Sequence, residues 1–188
     1  PYKIILINTN VEHNLADSSY NQRVKECQEA LEIINKNENN YKYLVDVELN
    51  ILNKFKDSMN RKVYNRAKFV IEENKRTRDS SVEISKSNIK EFGKLMYQSH
   101  KGLRKLYEVS CEELDFLVDF SKSKKEVIGS RMMGGGFGGC TINLIKENYV
   151  DNFVDLVSQA YLDKFHIKLN AITVNIDNGI TIKNIYDF

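Results

Sequence analysis

The densest run of chemically unusual residues is Arg131 to Thr141, RMMGGGFGGCT, which holds five of the chain's nine glycines within the six positions 134 to 139. A backbone without side chains lets peptide amides approach an anion closely, so phosphate contact is the chemistry this pattern suggests. Gly134, Gly136 and Gly139 match the GxGxxG spacing of dinucleotide-binding loops, but that fingerprint opens a helix, and the CTINLI that follows alternates like a strand. A Walker A loop requires lysine where Cys140 stands. Protein-kinase glycine loops do lie between strands, yet no VAIK, HRD or DFG sequence follows this one. Strand, glycine loop, strand is what survives. Spacing alone leaves two readings open: amides against a phosphate, or a tight bend that lets elements pack closely.

Other reactive residue types gather into no second pattern. His13, His100 and His166 are too far apart in sequence to announce a metal cluster, which needs several convergent donors, and no metal site is expected. Cys27, Cys111 and Cys140 form no CxxC pair and are expected to be free thiols. Cys140 beside the glycines has no evident base and is expected to be a small packed residue. Arg76, Arg78 and Arg104 fall in charged helical stretches, where a solvated face is the default.

These residues need elements to carry them. YKIILINTN reads as a strand buried on both faces. SSYNQRVKECQEALEII reads as a helix capped by Ser19 with Gln22 three residues on, turning Val24, Cys27, Leu31 and Ile34 inward and placing Tyr20 at its first position. A polar loop, Asn35 to Asn40, and a short helix within Val45 to Phe55 follow. Val63, Ala67, Val70, Ile71 and Asn74 mark one face of a long helix. Ile89, Phe92, Met96, Leu103 and Leu106 mark another after Ser87, and the short connection predicts antiparallel packing. Ser110 and Glu113 form a capping box ahead of a helix with Leu114, Leu117 and Val118 inward. In the strand after the glycines, Cys140, Ile142 and Leu144 alternate against Thr141, Asn143 and Ile145, a half-buried strand with one imperfect position. Val150, Phe153, Val154, Val157 and Tyr161 give a further helix, and AITVNI and ITIKNI two strands around Asp177-Asn178-Gly179. Helices grouped between strands indicate an α+β fold.

The chain of 188 residues suits one domain, residues 1–188. Lysine plus arginine number 28 against 26 acidic residues, with no basic block, so no nucleic-acid partner is expected. The longest apolar run, Ile4 to Ile7, is far below the roughly 18 residues of a membrane span, and no membrane partner is expected. Free thiols and the absence of a signal sequence point to the cytoplasm. The opening on Pro1, with a strand almost at once, suggests the interior of a longer protein.

GSRMMGGGFGGCT closely resembles the third conserved motif of galactokinases, within the GHMP small-molecule kinase family. INTNVEHNLADSSYNQR, AKFVIEENKRT and LMYQSHKGLRKLYEVSCEELD are similar to further galactokinase segments in the same order, so the resemblance covers most of the chain. It implies the family's C-terminal domain, an antiparallel sheet packed with helices, in an enzyme that moves the γ-phosphoryl group of ATP to the anomeric hydroxyl of galactose with Mg2+. It also implies that the sugar-contacting tyrosine is Tyr20, and that Gly134, Gly135, Gly136, Phe137, Gly138 and Gly139 form the motif beside the phosphate site. The sequence departs from the family at Ser19, where glutamate is usual, and at Lys105, Leu106, Glu112 and Met133. The family's GEHTDY-like sugar motif, serine-rich ATP loop and catalytic aspartate have no counterpart here. The resemblance therefore implies that ATP and Mg2+ are held mainly by an N-terminal domain, that no catalytic base lies in this chain, and that the chain alone is inactive. A kinase for N-acetylgalactosamine and a non-catalytic sugar sensor remain as alternatives.

Overall fold

The computed structural model describes residues 2–11, 16–38 and 40–176. The expected strand ITIKNI, the turn Asp177-Asn178-Gly179 and His13 lie outside the described residues. In chain order the elements are β1 (Tyr2–Asn8), α1 (Ala16–Asn35), α2 (Leu49–Lys54), α3 (Arg61–Ser85), α4 (Ile89–Gly102), a π-helical turn (Leu103–Tyr107), α5 (Glu112–Lys122), β2 (Val127–Met132), β3 (Cys140–Lys146), α6 (Val150–Phe165) and β4 (Asn170–Val174). The strands form one antiparallel sheet in the order β2-β3-β1-β4. This is the α+β arrangement expected from the sequence.

Among the described residues, buried apolar side chains form three clusters. Ile5, Ile7, Val127 and Ile145 on one sheet face meet Leu117 of α5 and Phe153, Val157 and Tyr161 of α6, as the helical spacing predicted. Ala30, Leu31 and Ile34 of α1 pack with Leu52 of α2 and Val63 and Ala67 of α3. The third core, Phe69, Leu103, Val109, Leu114 and Met132, takes in Phe137 of the glycine loop. It lies where α3, the π-helical turn, α5 and β2 converge.

Three local expectations are corrected. β1 buries Ile5 and Ile7, but Ile4 and Leu6 are only half-buried, so the strand has one covered face rather than two. In β3 the buried set is Thr141, Asn143 and Ile145, while Cys140, Ile142 and Leu144 are half-buried. The cause is the position of α5, whose Ser121 supplies the polar partner this face needs. The Ser121 hydroxyl donates to Asn143 Oδ1 at 3.0 Å, and Asn143 Nδ2 donates to the Ile5 carbonyl at 3.2 Å and to Thr141 Oγ1 at 3.0 Å. Finally, Ser110 does not cap α5. Cys111 is the N-cap residue, and the Ser110 hydroxyl donates to Asp115 at 2.7 Å.

Replacing Asn143 by leucine strands these partners in a dry site. A buried group deprived of its partner costs about 1–3 kcal/mol, so Asn143→Leu is expected to destabilise by roughly 2–4 kcal/mol, read from the urea unfolding midpoint. A loss below about 0.5 kcal/mol contradicts this account of the sheet.

Candidate functional site

The glycine stretch is the hairpin connection between β2 and β3, so the strand–loop–strand reading holds. Its backbone is unusual at all positions from 134 to 139 but one: Gly134, Gly136, Gly138 and Gly139 have positive φ, and Phe137 joins them at 59°, leaving Gly135 as the exception. A non-glycine residue in that region carries strain, and here packing holds it. The Phe137 amide donates to the Val109 carbonyl at 2.7 Å, and its ring is partly buried in the third core. At the far end the Gly139 carbonyl accepts from both the amide and the hydroxyl of Thr9, each at 2.9 Å.

The packed-bend reading of the loop is seen at one glycine, and others are left with open space beside them. A Cβ at Gly136 would stand 2.1 Å from the Val109 carbonyl oxygen, which is the close approach of a packed bend. At Gly134, Gly135 and Gly139 a Cβ would have nothing within 4 Å. At Gly134 and Gly135 the loop is therefore exposed backbone with free space beside it, anchored by Phe137 on Val109 and by Gly139 on Thr9.

Tyr20 is 51% exposed and lies inside α1, not at the helix start, because the helix already runs through Ala16 and takes in Ser19. One turn further on, Arg23 Nη2 donates to the Glu108 carbonyl at 3.2 Å. Val24, expected inward, is exposed; its place on the covered face is taken by Arg23 and Glu26. Glu108 itself ends the π-helical turn in the left-handed region, φ 53°. It immediately precedes Val109, the residue on which the glycine loop rests. The helix carrying Tyr20 and the loop thus meet at the same two residues.

What holds this junction is Arg66 of α3, 1% exposed, which the sequence pattern did not single out. Its Nε donates to Glu26 at 3.0 Å, its Nη2 to Glu108 at 2.6 Å and its Nη1 to the Leu106 carbonyl. Arg23 Nη1 adds a second donor to Glu26 at 3.0 Å. Burial raises the Glu26 carboxyl, but the hydrogen bonds from Arg66 and Gln22 and the charges of Arg23 and Arg66 outweigh it and leave it below its ordinary value. The Arg66 hydrogen bond likewise holds Glu108 down. In the sequence Arg66 is only an arginine one position before the inward Ala67, and such a residue reads as surface charge until its partners are seen.

The remaining candidates fall into place around this junction. His100 is buried, with Nδ1 accepting from the Met132 amide at 3.3 Å and Nε2 3.2 Å from Asp115. Arg104 pairs with Asp115 at 2.7 Å and with Asp119 at 3.0 Å. Arg76 pairs with Glu73, which also binds Arg131 at 3.3 Å, so Arg76 and Arg104 belong to ion-pair networks rather than to solvated faces. Arg78 and His166 are both exposed. The three cysteines are free. Burial raises the thiols of Cys27 and Cys140 and pushes Cys111 up to about 11, which suits packed residues rather than nucleophiles. Among the described residues no three histidine, cysteine or acidic side chains stand together to hold a metal ion. Nor is any described helix long and apolar enough to cross a membrane.

Comparison with known proteins adds a second line. Residues 81–163 match the family described as GHMP kinases C terminal. Over 181 residues the chain is 42% identical to the galactokinase of Clostridium acetobutylicum, covering 95% of this chain and 46% of that protein. A galactokinase of Fusobacterium nucleatum is 40% identical over 94% of this chain and 46% of its own length. The crystal structure of Lactococcus lactis galactokinase complexed with galactose superposes with a TM-score of 0.89 at 31% identity, covering 95% of this chain and 46% of that one. The chain spans about half the length of the relatives it matches.

Proposed function

Since the chain belongs to the GHMP kinases and carries their C-terminal domain in its galactokinase form, we propose that it is the C-terminal half of an enzyme that transfers the γ-phosphoryl group of ATP to the C1 hydroxyl of galactose, giving galactose 1-phosphate. The observation that carries this reading is the 0.89 TM-score over 95% of the chain to a galactokinase that was crystallised with galactose. The exposed backbone at Gly134, Gly135 and Gly139, with free space beside it, gives it a local chemical basis.

In this reading Tyr20 offers its hydroxyl to the sugar, and its position on α1 fixes one wall of the sugar site. The tip of the glycine loop lies against the phosphate side, where peptide N–H groups stabilise negative charge at no cost in reorganisation. ATP supplies the phosphoryl group, and phosphoryl transfer depends mainly on positioning and charge stabilisation. The positive-φ backbone and the vacant Cβ positions fit a phosphate; the described residues present no donor set for Mg2+, so no residue of this chain is assigned to it and no step is derived through it. No residue of this chain is assigned as the base either. An N-terminal domain is proposed as the partner that completes the site, and the isolated chain is expected to be inactive.

The test is a sugar panel on the full-length enzyme, scored by ADP release from MgATP. Galactose is expected to support turnover well above glucose and N-acetylgalactosamine. A preference for N-acetylgalactosamine would assign the amino-sugar branch, and sugar binding without ADP release would make the protein a sensor; either result overturns the proposal.

A further inference from the structure

Arg66 touches neither Tyr20 nor the glycines, yet it stands between them. Its three guanidinium nitrogens each have a separate partner: Glu26 on α1, Glu108 at the end of the π-helical turn, and the Leu106 carbonyl within that turn. Glu26 lies on the helix that carries Tyr20, on the face shared with Arg23. Glu108 is held with φ at 53°, and the next residue, Val109, accepts the Phe137 amide and stands where any Cβ at Gly136 would collide. The connection is therefore continuous from α1 through Glu26, Arg66, Glu108 and Val109 to the loop. Each link is a hydrogen bond or a covalent step. Arg66 is 1% exposed and Glu26 is 7% exposed, so water does not compete for the link between them, while the Glu108 carboxylate, half exposed, meets the same guanidinium from the solvent side.

We infer that Arg66 is a positioning residue, setting the separation between the Tyr20 wall and the glycine loop through its simultaneous hold on α1 and on the turn beneath that loop. The inference rests on the proposed galactokinase reading, in which sugar and phosphate must be brought into line from these two sides. A planar guanidinium is suited to the task because its donors diverge at fixed angles, whereas lysine brings one mobile point charge. Keeping the charge is therefore not enough to keep the geometry. A displacement near 1 Å at a reacting centre costs on the order of 100-fold in rate.

The experiment compares steady-state kinetics of the full-length enzyme with those of Arg66→Lys, Glu108→Gly and Leu52→Ala. Glycine at 108 retains the left-handed backbone and deletes only the carboxylate, which guards against an Arg66 variant that fails to fold. Leu52→Ala opens the separate core between α1, α2 and α3 and serves as the measure of a purely structural defect. Arg66→Lys is expected to lower kcat/KM for galactose on the order of 100-fold and to raise KM for galactose and for ATP together. Glu108→Gly is expected to move the same constants in the same direction by a smaller factor. Leu52→Ala is expected to lower the melting temperature and leave both KM values in place. If folded Arg66→Lys and Glu108→Gly enzymes show wild-type KM values, with kcat falling only as the folded fraction falls, Arg66 is structural and the inference is overturned. The same conclusion follows if Arg66→Lys does not fold and Glu108→Gly leaves both KM values unchanged. A wild-type enzyme that phosphorylates no sugar overturns the functional reading and this inference with it, so the two failures are distinguishable.

Discussion

Gly136→Ala is expected to disable the enzyme while barely changing its composition. The φ of Gly136 is +88°, and an added Cβ would lie 2.1 Å from the Val109 carbonyl oxygen and 3.0 Å from the Met132 methyl carbon. The first of these neighbours is backbone that already accepts the Phe137 amide, so it cannot retreat without releasing the loop. Left-handed strain of about 1–3 kcal/mol and overpacking of about 1–3 kcal/mol act together, giving an expected loss of roughly 2–5 kcal/mol. The loop relieves that strain by lifting from Val109, and turnover is expected to fall on the order of 100-fold. Gly135→Ala is the control: nothing lies within 4 Å of its Cβ and its φ is not positive, so its stability is expected to match the wild type. Equal turnover and equal melting temperatures for Gly136→Ala and the wild type would contradict the packing described for the base of the loop.

Arg66→Met is expected to give the largest loss of stability. Methionine fills much of the volume but abandons three acceptors, among them the buried Glu26 carboxylate. Breaking one side of a buried ion pair costs roughly 3–5 kcal/mol, because the other charge is left without compensation. The pH dependence follows from the directions of the carboxyl shifts. Glu26 and Glu108 both titrate below their ordinary value of 4.5 in the folded protein, so the stability they contribute is complete above that value and is lost as the pH falls through their folded values. The gap between wild type and Arg66→Met in urea midpoint is therefore expected to be widest near neutrality and to narrow below about pH 4.5. A gap that is constant from pH 7 to pH 3 would show that the Arg66 pairs contribute nothing as ion pairs.

The strand–loop–strand setting of the glycines was legible because the alternation of CTINLI is a local property, and so was the inward face of α6, where Phe153, Val157 and Tyr161 recur at helical spacing. The covered face of β3 was not. Alternation assigns residues to two faces, but it does not say which face a helix will cover, and the choice depended on Ser121 arriving from α5 to satisfy Asn143. The start of α1 was misplaced because Ser19 has the chemistry of a cap, while the helix runs one turn further back through Ala16. Arg23, Glu26 and Arg66 were missed for a related reason. Charged residues on amphipathic helices read as solvent-facing, and only the approach of three segments, α1, α3 and the π-helical turn, turns them into a closed network. The glycine motif was visible in the sequence, and the group that joins it to the Tyr20 helix was not.

The central claim is that this chain supplies one wall of a galactokinase active site, completed by a second domain. Formation of galactose 1-phosphate from galactose and MgATP, measured side by side for the full-length enzyme and for the 188-residue chain, tests it most directly. The account predicts product from the full-length enzyme and none from the chain alone. Product from the chain alone, or none from a folded full-length protein that binds galactose, would contradict it.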